Sequence, residues 1–149
     1  MNKEMMSAKQ RQAWLECARH EAETGQSTVI AQFRMTEYFG TEEELNLRHK
    51  VQRAVGDELE KLGIGHCDGG QGGGGLAEVF FYVHTSKLKL GLETIKRVIE
   101  EMGLLKAAKI VWPDNTDMVH RIFFPENCTI PFSFFPPETE GPLRWQHRP

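Results

Sequence analysis

Residues 69–83 read Gly69-Gly70-Gln71-Gly72-Gly73-Gly74-Gly75-Leu76-Ala77-Glu78-Val79-Phe80-Phe81-Tyr82-Val83. The first seven positions hold six of the chain's 14 glycines, and the aromatic and β-branched run after them, Leu76 to His84, reads as a strand. Glycine loses more conformational entropy on ordering than any other residue. A run of it therefore marks a loose loop or a place where backbone must come close to something. A short apolar segment around Ile64 to Cys67 precedes the run. Strand, glycines, strand predicts a hairpin whose glycine-rich connection takes up the φ > 0 positions.

The flanking segments alternate between helical and extended patterns. Upstream, Thr28 to Met35 alternates as a strand, with Val29, Ala31, Phe33 and Met35 on one face and Thr28, Ile30, Gln32 and Arg34 on the other. Thr41-Glu42-Glu43-Glu44 is a capping box, in which the Thr41 hydroxyl and the Glu44 carboxylate each accept a terminal backbone N–H. Leu47, Val51, Ala54, Val55, Leu59 and Leu62 continue it as one apolar helix face, ended by Gly63. Downstream, a helix starts after Thr85 or Ser86. Leu88, Gly91, Leu92, Ile95, Val98, Ile99 and Met102 keep helical spacing, and Gly103 caps them. Lys106 to Trp112 reads as a strand, Pro113 to Asp117 as a turn, and Met118 to Phe124 as a hairpin partner. At the start of the chain, Ser7 to Thr24 reads as a helix with a narrow stripe of Ala13, Trp14, Cys17 and Ala18, an appendage pinned by Trp14.

Strand, helix, strand, strand, helix, strand predicts an α+β protein with a ferredoxin-like βαββαβ core: an antiparallel sheet with two helices on one face. Both helices end at a glycine and feed a strand (Glu58 to Ile64, Ile99 to Leu104), an internal echo of two βαβ halves. The N-terminal helix (about residues 7–24), the fifth strand and an extended C-terminal arm are additions to a core of about residues 28–112. Residues 1–124 are read as a single domain and 125–149 as the arm. In this pattern residues 28–112 loosely resemble small bacterial ferredoxin-like proteins with no assigned activity. The resemblance implies the fold and imports no active site.

From Pro125 onward stand six of the seven prolines, which forbid a central strand or helix. Ile130, Phe132, Phe134, Phe135, Leu143 and Trp145 make the same stretch too apolar for a solvated linker. An arm packed on the domain or on a neighbour is expected, with Phe132, Phe134, Phe135 and Trp145 as its contacts.

At 149 residues the chain is long enough for a core without metals or disulfides. A net charge of −3 gives no attraction to a polyanion. Cys17, Cys67 and Cys128 are odd in number and far apart, which fits thiols in a reducing cytosol. Met1 to Met6 carry no apolar signal-peptide region, and no apolar run has the length to span a bilayer. A cytoplasmic protein is expected.

The motifs that resemble chemistry fail on context. Gly70-x-Gly72-x-x-Gly75 spells the dinucleotide fingerprint, but that motif needs a helix after it, and here a strand follows. His66-Cys67-Asp68 clusters three reactive side chains, yet neighbours on a strand point to opposite faces, so His66 is no base for Cys67. Cys17, His20 and Glu21 start a helical metal motif that Thr24 breaks. No catalytic residue, metal or cofactor is predicted.

If Val79, Phe81 and Val83 face the helices, then Glu78, Phe80, Tyr82 and His84 face away, beside Ile30, Gln32 and Arg34. RNA-recognition modules stack bases on such a face, but Glu78, the net charge and the missing basic-Gly-aromatic start argue against nucleic acid. An apolar patch of Ile30, Phe80 and Tyr82 calls for cover by the arm, a second copy or a partner protein. The expected function is non-catalytic association, as a homodimer or with another protein, in a regulatory, adaptor or immunity-like role. The alternative is a small-ligand or anion binder, whether or not an enzyme, with a pocket at the glycine-rich hairpin lined by His66, Asp68, Arg34, Tyr82 and His84. Single-stranded nucleic acid binding ranks third.

Overall fold

The computed structural model describes residues 8–38, 40–114, 119–126 and 128. In chain order these form α1 (Ala8–Thr24), β1 (Gln26–Arg34), α2 (Glu42–Lys61), β2 (Gly65–Gly73), β3 (Leu76–His84), α3 (Leu88–Glu101), β4 (Ala108–Asp114) and β5 (Val119–Phe124). The strands make one antiparallel sheet in the order β2-β3-β1-β4-β5, an α+β arrangement. Helices carry the chain from β1 to β2 and from β3 to β4, each crossover skipping one strand.

Local chemistry sets the helix ends. The Thr41 hydroxyl accepts the Glu44 N–H at 3.1 Å and Glu44 Oε1 accepts the Thr41 N–H at 2.9 Å, so the capping box is closed in both directions. Gly63 (φ 69°) and Gly103 (φ 75°) turn the chain out of α2 and α3 through the left-handed region.

Between the sheet and these two helices lies the main core. Val51, Val55 and Leu59 of α2 and Leu92, Ile95, Val98 and Ile99 of α3 pack on Val29, Ala31 and Phe33 of β1 and Val79, Phe81 and Val83 of β3. Burying each such side chain stabilises the fold by roughly 1.5–3 kcal/mol. The alternate residues of the same strands therefore lie on the second face.

Two readings of the sequence change. The glycine run is not a connection: Gly69 to Gly73 extend β2, in register with Phe80 to Leu76 of β3, and the turn is only Gly74-Gly75, at φ 64° and 78°. Positive φ at both central residues suits a two-residue hairpin whose twist matches its strands. Glycine is admitted into β2 because α2 crosses it closely. A Cβ on Gly70 would lie 2.6 Å from Gln52 Nε2 and 2.7 Å from the Glu78 carbonyl oxygen, and one on Gly72 would lie 3.4 Å from Arg48 Nη1. Similarly, Pro113 and Asp114, expected in a turn, end β4 opposite His120 and Val119. Pairing with β1 stops at Val111, so the N–H that Pro113 lacks falls where β4 has one neighbour. The arm residues Phe132, Phe134, Phe135 and Trp145 lie outside the described residues.

Candidate functional site at the glycine-rich sheet edge

The second face of the sheet is covered in part by α1. Ala13 packs in a small cluster with Ile30, Phe80, Val111 and Ile122, and Trp14 is buried. Glu21 Oε1 accepts hydrogen bonds at 3.0 Å from the hydroxyls of Ser27 and Thr85, tying the end of α1 to β1 and to the residue after β3. The helix read as an appendage thus supplies cover for the apolar patch of Ile30 and Phe80.

Tyr82 is the centre of what remains accessible. His20 of α1 stacks on its ring with centroids 3.9 Å apart, and His66 of β2 meets it edge-on at 5.5 Å. Burial pushes the Tyr82 phenol up to about 12, and the nearby Asp68 carboxylate adds to the rise. Asp68 is the extra residue of a bulge between Cys67 and Gly69. His66, Asp68 and Tyr82, all singled out in the sequence, are brought together here. His20 joins them unpredicted.

Deeper on the same face, Gln32, Glu78 and Gln71 stand opposite one another across β1, β3 and β2. Glu78 is fully buried; its Oε2 accepts from Gln32 Nε2 at 2.9 Å and its Oε1 from Gln71 Nε2 at 2.7 Å. A buried carboxylate needs such partners, since leaving it without them costs several kcal/mol, on the order of 2–7 even for neutral polar groups. Gln32 and Glu78 are therefore internal scaffolding and not an exposed binding surface. Arg34, at the end of β1, donates through Nη2 to the Lys106 carbonyl oxygen at 2.9 Å, away from Tyr82's cluster in the strand register. His84 is exposed at the end of β3.

The thiols near this face are not activated. Burial raises Cys67, against a hydrogen bond from the Gly69 N–H that lowers it, and burial likewise raises Cys17 against its bond to Thr28. Among the described residues no group of three or more His, Cys, Asp or Glu side chains is arranged to hold a metal ion.

The outer margin of β2 is an edge of the sheet. Beyond the bulge, Gly70, Gln71 and Gly72 are exposed, and among the described residues β2 pairs with β3 alone. Starting from the two-residue turn, antiparallel alternation directs Gln71 and Gly73 toward β3 and the N–H and C=O groups of Gly70 and Gly72 outward. The usual protections of an edge, lysine or proline, do not occur from Gly69 to Gly73. No helix among the described residues is long and apolar enough to cross a membrane. No protein-family model, curated protein or solved structure matches the chain.

Proposed function

We propose that this chain acts by association, through strand addition at the β2 edge, with a second copy of itself as the occupant. The observation that carries the reading is the bare backbone margin at Gly70 and Gly72. Its uncharged stretch, Gly69 to Gly73, meets its own copy without like-charge repulsion. About a two-fold axis at Gln71, Gly70 of one copy exchanges hydrogen bonds with Gly72 of the other, an isologous and self-closing contact. Each bond is worth about 1 kcal/mol net. Association costs about 4–15 kcal/mol, so the dimer is weak and concentration-dependent. The reading carries with it a ferredoxin-like βαββαβ core, supported by the order β2-β3-β1-β4 and the two helical crossovers. It also carries a cytoplasmic location, supported by three cysteines outside any disulfide framework.

Sedimentation velocity from micromolar to millimolar chain tests it. A concentration-dependent dimer is expected, with slowed hydrogen exchange at the Gly70 and Gly72 amides. Gly72→Pro removes an outward N–H that the fold does not use and abolishes the dimer; Gly72→Ala keeps it. A monomer at every concentration refutes the reading, as does a dimer that survives Gly72→Pro.

A second reading, small-ligand or anion binding, is favoured by the convergence of His20, His66 and Asp68 on Tyr82. It predicts shifts of both imidazole resonances when inorganic phosphate is titrated. Unmoved resonances remove it.

A further inference from the structure

A cavity of about 220 Å3 lies between α2, the ends of β1 and β3, and the segment leading into β4. Its walls are largely apolar: Phe33, Met35, Leu47, Val51, Ala77 and Leu104. Three charged side chains, all half-buried, complete the lining: Arg34, Glu44 and Arg48.

The charges are engaged unequally. Glu44 is held at the helix start, with Oε1 accepting from the Thr41 N–H at 2.9 Å and the Thr36 hydroxyl at 3.1 Å, and Oε2 accepting from the Thr36 N–H at 2.9 Å. Arg34 donates to the Lys106 carbonyl oxygen. Arg48 stands four residues from Glu44 on α2, yet among the described residues it forms no ion pair, and its buried Nε has no hydrogen-bond partner. A buried guanidinium N–H without an acceptor is costly, and the planar fork it belongs to matches a carboxylate. An arginine in this state beside an apolar cavity has the chemistry of an acid-binding site: a greasy body for the walls, an anionic head for Arg48.

We propose that this cavity binds a small organic acid, with the apolar part among Phe33, Leu47, Val51 and Leu104 and the carboxylate on the Arg48 guanidinium. Size sets the class. A dry cavity of about 150 Å3 holds benzene, so this one takes a single ring or branched chain with a short carboxylate arm. The site is independent of the β2 edge contact, because Arg48 reaches the inner face of β2 and the edge contact uses the strand's outer backbone.

The test uses the full chain with 3-phenylpropionate and its neutral counterpart 3-phenyl-1-propanol, followed by ligand-observed NMR and thermal melting. The acid is expected to bind and to raise the melting temperature, with at least about tenfold higher affinity than the alcohol, as one charge-assisted pair supplies. Arg48→Met, which keeps an apolar stem, is expected to erase that preference while the alcohol binds as before. Leu104→Trp fills the cavity from the opposite wall and is expected to remove both ligands. No binding of the acid at millimolar concentration overturns the proposal, as do equal affinities or a preference that persists in Arg48→Met. The acid–alcohol contrast needs no variant, so a failure of Arg48→Met to fold leaves the test intact.

Discussion

Replacing Gly91 by alanine places a methyl group where α3 crosses β3. The added Cβ would meet Val83 Cγ1 and stand 2.9 Å from Cγ2, distances at which something must move. Val83 is fully buried, and a β-branched side chain has one stiff χ1 torsion, so it cannot swing aside without striking other core atoms. Overpacking of this kind costs typically about 1–3 kcal/mol. Alanine recovers about 0.5–1 kcal/mol through helix propensity. Taking the middle of each range, the difference predicts that Gly91→Ala lowers stability by about 1 kcal/mol at a helix position where alanine is ordinarily stabilising. Val83→Ala alone opens a void and costs roughly 2 kcal/mol, about one for each methyl lost. Together the two changes fit, because the new methyl occupies the space the valine vacates. Urea denaturation of the four proteins in a double-mutant cycle should show a favourable coupling of at least about 1 kcal/mol. A neutral or stabilising Gly91→Ala, or strict additivity, refutes the claim that helix-to-sheet distance in this fold is set by that glycine.

Glu78→Leu leaves the Gln32 and Gln71 amides facing an apolar group, and a loss of about 2–4 kcal/mol is expected in the same assay; an unchanged midpoint sinks the account of the three-strand polar row. His120 is held down to about 4 by burial, against about 6.5 for the unfolded chain. Below pH 6.5 only the unfolded chain takes up the proton. Stability is therefore undiminished above that pH and falls by about 3 kcal/mol in all as pH drops toward 4. His120→Gln should flatten this part of the stability–pH curve, and a curve of unchanged slope refutes the assignment. In a Tyr38→Phe background Tyr82 is the single tyrosine, and its phenol should titrate near 12 by ultraviolet absorbance. Asp68→Asn should bring the titration part of the way toward 10, since burial remains; no movement removes Asp68 from the site.

The elements most legible in the sequence were those built from side chains. The alternation in Thr28 to Met35 and the helical spacing of Leu47 to Leu59 and Leu88 to Ile99 each describe a face, and the core is those faces put together. The glycines of β2 were illegible as a strand because strand patterns are patterns of side chains, and this strand pairs through its backbone under a close helix. The placement of α1 was hidden for a related reason. Its buried contacts run Ala13, Cys17, His20 and Glu21, and two of these are polar residues that a search for apolar stripes passes over. Likewise, Gln32, Gln71 and Glu78 are far apart in sequence and become one row only once the register of three strands is known.

Because β2 hands so little side chain to the interior, its hold on the molecule differs in kind from that of its neighbours. Among the described residues Cys67 is its one apolar contact with the main core; the rest is backbone hydrogen bonding to β3 beneath the tips of Arg48 and Gln52, with the polar contacts of Gln71 to Glu78 and His66 to Tyr82 on the other face. Lifting it away exposes almost no oil to water, and each hydrogen bond lost is replaced by solvent. The sheet therefore has a detachable outer leaf: β2 opens at far lower free energy than β1 or β3, and β3 becomes the new margin whenever it does. A strand that leaves this readily can also be lent. Two molecules at high concentration can trade outer leaves and return to the same sheet, giving slow exchange between copies without unfolding the core.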